Sequence, residues 1–367
     1  MNDLKVSKLL FTLIALSGVV LFISCEKDDT TPDKVVIDET PFILEHGALP
    51  APSLPLDNQL TIQGVKLGRM LFYEKLLSRD GSQACADCHR QQDGFSDTSR
   101  FSIGVELMPG KRQAMPVFNM AWHTNEFFWD GRAHLLRDQA LKPIQDPLEM
   151  NETLPNVIAK LSNTQQYKDQ FIRTFGSSEI TPEKMALAME QFMLSIVSNN
   201  SKFDRFLAGE IQLTESEERG RLLFSTEYNP FFPEISGADC QHCHGGANFE
   251  NDKYMNNGLD AEAAITDIGR QAVTLLPGDK AKFKVPSLRN VALTAPYMHD
   301  GRFKTLEEVI DHYNAGIQES STVDPAILNT KQTGLLLSQQ DKEDLVNFLK
   351  TLTDDTFLNN EEYKSPF

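Results

Sequence analysis

Two five-residue units, Cys85-Ala86-Asp87-Cys88-His89 and Cys240-Gln241-His242-Cys243-His244, hold four of the five cysteines in this chain. Paired cysteines in a C-x-x-C-H unit form thioethers with haem vinyl groups, and the adjoining histidine offers an imidazole to the iron. Cys85, Cys88, Cys240 and Cys243 are therefore expected to bind two covalent haem c groups, with His89 and His244 as proximal ligands. Paired C-x-x-C units also hold zinc, and a thioredoxin-like dithiol needs only C-x-x-C. Neither alternative asks for a histidine directly after the second cysteine, and both units have one. The chemistry indicated is redox chemistry at two irons.

The elements that must position these groups come in duplicate. Gly68-Arg69-Met70-Leu71-Phe72 lies shortly before the first unit, and Gly220-Arg221-Leu222-Leu223-Phe224 shortly before the second. Downstream, Pro116-Val117-Phe118-Asn119-Met120-Ala121 leads to Trp129-Asp130-Gly131-Arg132. Its counterpart, Pro286-Ser287-Leu288-Arg289-Asn290-Val291-Ala292, leads to His299-Asp300-Gly301-Arg302. Four blocks in one order indicate a duplicated unit of about 150 residues.

The local signals are helical. Thr214 with Glu217 forms a capping box ahead of the second Gly-Arg block. Thr181 followed by Pro182 starts a helix with Met185, Met189, Phe192, Met193 and Ile196 on one face. Ser338 with Asp341 caps a last helix carrying Leu345, Phe348, Leu349 and Leu352. No strand alternation is sustained, so the expected fold is all-α, with loops built around prosthetic groups. The expected boundaries are a signal peptide at 1–24, a tether at 25–55, and tandem domains at 56–207 and 208–367.

The fifth cysteine points to the compartment. Lys5 and Lys8 precede an apolar run from Leu9 to Ile23, shorter than the about 20 residues of a membrane span, which reads as a signal peptide. Phe22-Ile23-Ser24-Cys25 is similar to a bacterial lipobox, which makes Cys25 an acylated anchor; an ordinary signal peptide with an incidental cysteine is the alternative. The expected location is the cell envelope of a Gram-negative bacterium, facing the periplasm or the cell surface. The formal charge is −17, and removing two lysines and Asp3 with the signal leaves −18. That charge argues against nucleic acid, leaves membrane attachment to the lipid, and favours a basic electron donor.

From about Leu60 to Leu352 the chain resembles the bacterial dihaem cytochrome c peroxidases, the superfamily that includes the enzyme maturing methylamine dehydrogenase. Both haem units carry the resemblance, together with Phe128-Trp129-Asp130-Gly131-Arg132, Val285-Pro286-Ser287-Leu288-Arg289-Asn290 and Pro296-Tyr297-Met298-His299-Asp300-Gly301. It implies two class-I cytochrome c domains whose haems face a shared interface. It further implies that peroxide meets the N-terminal haem, while the C-terminal haem receives electrons from a small donor, a cytochrome c or a cupredoxin. A homodimer is among the assemblies it allows. On the same ground Trp129 lies between the haems, and Gln139 and Glu149 stand in the distal pocket, where a carboxylate serves as proton shuttle. Gln113, with the carbonyls of Thr294 and Pro296, matches a calcium site, although the family usually has Asn where Gln113 stands.

Two departures from the family pattern bear on activity. Ser102-Ile103-Gly104 is followed by Val105, where typical peroxidases carry a histidine that plugs the peroxidatic iron. Fourteen residues after His299, where they carry a methionine ligand, stands Tyr313, as in the maturation enzyme. A phenolate ligand lowers the potential relative to a thioether. His312, Met298 and Met255 are rival ligands, and a tyrosine packed beside the haem without ligating it is a further alternative. The resemblance implies a peroxidase, with an oxidase like the maturation enzyme and a plain electron carrier as competing readings.

Overall fold

The computed structural model describes residues 34–367, so the expected signal peptide, Cys25 and the start of the tether lie outside the described residues. Among the described residues no helix is long and apolar enough to cross a membrane.

Each principal helix starts where the sequence offers a cap. Thr61 accepts from the Gly64 amide ahead of Ile62–Phe72, and Thr181 from the Lys184 amide ahead of Pro182–Ser195. Thr214 and Ser338 form reciprocal boxes with Glu217 and Asp341, starting Glu215–Ser225 and Gln339–Lys350. Such caps satisfy amides that the first turn leaves without a partner, worth about 1 kcal/mol each. The fold is helical; among the described residues the only sheet is a two-residue pair, Tyr254–Met255 against Phe283–Lys284.

Two helix pairs repeat one packing solution. Ile62–Phe72 crosses Pro182–Ser195 at Gly68, where a Cβ would stand 1.9 Å from the Ala188 carbonyl oxygen and 2.7 Å from Phe192 Cβ. Glu215–Ser225 crosses Gln339–Lys350 at Gly220, where a Cβ would stand 2.0 Å from the Asp344 carbonyl oxygen and 2.8 Å from Phe348 Cβ. Phe72 meets Phe192 with ring centroids 5.3 Å apart, and Phe224 meets Phe348 at 5.2 Å. The Gly-Arg-x-Leu-Phe blocks are thus close-approach points followed by an aromatic anchor. Gly220→Ala forces backbone apart, and overpacking of this kind costs about 1–3 kcal/mol. The expected result is a lower urea midpoint for the holoprotein; an unchanged midpoint would show that the helices separate freely.

Each helix pair has its own apolar core, one around Leu71, Phe72, Phe95 and Phe192 and the other around Phe224, Phe249, Leu345 and Phe348. The chain's last turns do not stay with the second core. Phe357 and Tyr363 pack in the first, and Gln91 Nε2 donates to the carbonyls of Phe357 and Asn360 at 3.1 and 2.9 Å. Part of the expected tether is also docked. The Asp38 amide donates to the Arg173 carbonyl, the Phe42 amide to Leu60, and Trp122 Nε1 to the Pro50 carbonyl. Phe42, Leu44 and Leu54 of this stretch pack against the first core, and Leu49 is buried.

Candidate active site

The first C-x-x-C-H unit opens onto a cavity of about 970 Å³ whose wall includes Cys85, Cys88, His89, Trp129, Gln139 and Glu149. The short helix Cys85–Cys88 holds both thiols, and the His89 ring follows at its end. His89 Nδ1 lies 3.1 Å from the Phe95 carbonyl oxygen, so Nδ1–H donates there and Nε2 is left for a metal. Burial lowers the His89 pKa, which favours the neutral ring that coordination needs. Burial also pushes the Cys85 and Cys88 thiols up, to about 12 and 11. Two thiols, one oriented imidazole and an apolar-walled cavity fit a covalent haem.

Gln139 and Glu149 line the same cavity. Gln139 sits on the helix Leu136–Ala140, and Glu149 in the turn that follows Lys142–Gln145. The Glu149 amide donates to the Asp146 carbonyl at 3.0 Å, which fixes the turn. Burial raises the Glu149 carboxyl to about 7; Asp146 adds to the shift and Arg132 opposes it. The Glu149 carbonyl accepts the Val105 amide at 2.8 Å, and Gly104 touches the Leu148 carbonyl so closely that a Cβ would lie 2.1 Å from it. The loop that carries the plugging histidine in typical peroxidases is therefore clamped beside Glu149 and presents Val105, which has no ligating atom. His123, the histidine of this cavity that could plug the iron in place of the missing one, is engaged elsewhere: its Nδ1 faces Glu250 Oε2 at 3.1 Å and Asp252 Oδ1 at 3.5 Å.

Trp129 is buried where the halves meet. Its Nε1 donates to the Gln113 carbonyl at 2.8 Å, and its own carbonyl accepts the Lys284 amide at 2.7 Å. Gln113 is buried as well: its amide donates to the His299 carbonyl, and its side-chain Nε2 to Ser96 Oγ at 3.0 Å and the Asp97 carbonyl at 3.3 Å. The loop at Gly94 touches Thr294, where a Cβ would stand 3.0 Å from Thr294 Cγ2, so the Gln113 neighbourhood and the Thr294–Pro296 loop are in contact.

The second unit repeats the first. His244 Nδ1 is shared between the carbonyls of Phe249 at 3.3 Å and Pro286 at 3.1 Å, and burial lowers its pKa to about 4. Cys240 and Cys243 are pushed up to about 12 and 11 by burial. Tyr313, partly buried against the second core, lies close enough to both thiols for them to raise its pKa; burial is the larger cause, and the phenol reaches about 12. A phenol held that high ionises only against a strong positive charge. Its oxygen lies 3.3 Å from Asn257 Nδ2, which also lies 3.2 Å from Met298 Sδ. His312, by contrast, is pinned: its Nε2 lies 3.0 Å from the Asn257 carbonyl, and its ring packs on Phe303. Met255 Sδ is engaged by Asn251 Nδ2 at 3.6 Å. The helix Leu306–Asp311 runs into a π-turn over His312–Gly316, a local widening common at functional sites, and the His312 and Tyr313 rings meet edge-on with centroids 5.2 Å apart. Sequence reasoning missed Asn257: nothing in its neighbours marks it, since it acts through the fold and not through spacing.

Comparison with known proteins agrees with this duplicated site. The family model described as di-haem cytochrome c peroxidase matches residues 62–212. The chain is 34% identical over 304 residues to methylamine utilization protein MauG of Methylophilus methylotrophus, covering 81% of this chain and 84% of that protein. It is 34% identical over 293 residues to cytochrome c551 peroxidase of Nitrosomonas europaea, covering 79% and 80%. Among solved structures, a MauG-like protein associated with microbial copper homeostasis superposes with a TM-score of 0.77 at 32% identity, over 87% of this chain and 97% of that one. With two C-x-x-C-H units in duplicated surroundings and relatives this similar over most of its length, the chain belongs to the di-haem cytochrome c peroxidase family of oxidoreductases, which implies two haem c groups.

Proposed function

We propose that this chain reduces hydrogen peroxide to water with electrons from a small external redox protein, a cytochrome c or cupredoxin. The electrons enter at the C-terminal haem and pass to the N-terminal one. The observation that carries this reading is Glu149, a carboxyl raised to about 7 on the wall of the cavity that holds Cys85, Cys88 and His89. Haem bound through those three residues would supply the iron where peroxide is reduced and the store for electrons. The ionised Glu149 accepts a proton from one peroxide oxygen and returns it to the departing one. Gln139 offers an amide to orient the peroxide. Two electrons and two further protons then complete two waters. Trp129, tied by hydrogen bonds to Gln113 on one side and Lys284 on the other, is the proposed route between the haems. Trp129→Phe is expected to slow interhaem transfer, read as separated reduction of the two irons in stopped-flow spectra. Unchanged kinetics would make Trp129 a packing residue only.

The architecture proposed is two tandem class-I cytochrome c domains, 56–207 and 208–367, with haems facing a shared interface. The repeated Gly68 and Gly220 crossings support it. One calcium ion is proposed at Gln113, Thr294 and Pro296; tying Gln113 Nε2 to Ser96 and Asp97 leaves its Oε1 for a cation. Loss of bound calcium in Gln113→Ala would support this site, and retention would remove it. Attachment to an envelope membrane through acylated Cys25 completes the proposal. Cys25→Ala should then move the protein from the membrane fraction to the soluble one; a membrane fraction that keeps it would reject the anchor.

A second reading, an oxidase that withdraws electrons from a protein or small substrate as the maturation enzyme does, is favoured by one observation, the placement of Tyr313 beside Cys240 and Cys243. The test between them is steady-state peroxide consumption with a reduced cytochrome or cupredoxin as donor. Turnover over many cycles supports the peroxidase. Peroxide consumption that stays at one or two equivalents with every donor supports the oxidase.

A further inference from the structure

His123, Glu250, Asp252 and Lys284 form a buried polar cluster on the junction of the halves; His123 and Lys284 also line the haem cavity, but the cluster transfers no proton or electron in the chemistry proposed above. His123 Nδ1, Glu250 Oε2, Asp252 Oδ1 and Lys284 Nζ are all closed off from solvent without a hydrogen-bond partner. Among the described residues only Gln83 Oε1 shares that condition. Buried charged groups that face one another without forming a hydrogen bond are costly, so four converging on one place need a reason.

Their spacing suggests one. His123 Nδ1 lies 3.1 Å from Glu250 Oε2 and 3.5 Å from Asp252 Oδ1, with geometry unsuited to hydrogen bonds. Metal–ligand bonds of about 2.0–2.2 Å set neighbouring ligand atoms about 3.0 Å apart in an octahedron and about 3.4 Å apart in a tetrahedron. Both measured separations match such edges. The remaining carboxylate oxygens are held in the manner of an outer shell. Glu250 Oε1 accepts from Asn248 Nδ2 at 2.5 Å, and Asp252 Oδ2 accepts from the Thr124 amide and Oγ1 at 3.1 and 2.6 Å. The His123 and Glu250 side chains are 7% and 5% exposed, and that of Asp252 20%.

The geometry points to a divalent first-row transition-metal site at His123, Glu250 and Asp252 that ties the two halves together. An imidazole with two carboxylates suits zinc, manganese or ferrous iron better than calcium, which prefers oxygen alone. A dication also balances the two carboxylates. Lys284 is the competing cation: its Nζ stands 3.6 Å from Asp252 Oδ1 and has no hydrogen bond. The Tyr254 ring, 5.8 Å from that ammonium, offers it a place to retreat.

The test uses the tag-free holoprotein in saturating calcium, dialysed against Zn²⁺, with zinc counted against haem iron by elemental analysis. One zinc per chain is expected. His123→Ala and Asp252→Asn should each weaken binding by about 10²-fold or more, with haem spectra confirming a folded protein. Lys284→Met should tighten it, the opposite of what a simple buried ion pair would give. No stoichiometric zinc in the wild type, or uptake unaffected by both ligand variants, would overturn the site.

Discussion

Glu149→Gln is expected to lower steady-state peroxide turnover by about 10²-fold or more, the usual worth of a positioned proton shuttle, while haem content stays intact. Gln keeps the volume and polarity of the side chain but cannot accept a proton. The pH profile separates this role from a packing role. Because burial raises the Glu149 carboxyl to about 7, the group is protonated below that pH and ionised above it. Acting as a base, it makes the wild-type rate constant for peroxide climb as pH rises through about 7 and level off beyond. The variant should show no such rise. A variant within threefold of wild type, or one that keeps the pH step, would return Glu149 to an ordinary buried turn residue.

The other large effect lies at the second haem. Tyr313→Met should raise the potential of the C-terminal haem by on the order of 0.1 V or more, within the roughly 0.8 V range that axial ligands span. A thioether favours the reduced iron, whereas a phenolate favours the oxidised one. Asn257, placed between Tyr313 and Met298, gives the position a polar partner in either case. Spectroelectrochemical titration of the two haems decides the matter. A C-terminal potential and spectrum unchanged by Tyr313→Met would show that the phenol packs beside the haem without serving it.

The sequence carried the site further than the fold. Cys85, Cys88, Trp129, Gln139 and Glu149 line one cavity, and the repeated blocks marked a duplication whose paired glycine crossings only the structure shows, since close approach leaves no residue but glycine at 68 and 220. Capping boxes at Thr214 and Ser338 are local hydrogen-bond codes and were legible for that reason. Other features were not legible because they are settled by contacts distant in the chain. The return of Phe357 and Tyr363 to the first core, and the docking of Phe42, depend on which apolar surface stands open after the halves form. The π-turn at His312–Gly316, which turns His312 to the Asn257 carbonyl and leaves Tyr313 facing the thiols, has no periodic signature. The cluster of His123 with Glu250 and Asp252 joins residues more than a hundred positions apart and lies outside every motif.

With no plug offered by Val105 and His123 turned to Glu250, the cavity at His89 is expected to be open to peroxide without prior activation. Mixing the fully oxidised protein with one equivalent of hydrogen peroxide in a stopped-flow spectrometer tests it most directly. An immediate haem spectral change with loss of the peroxide is expected, before any electron donor is added. A spectrum that stays that of the resting protein, with reaction only after the C-terminal haem has been reduced, would contradict it.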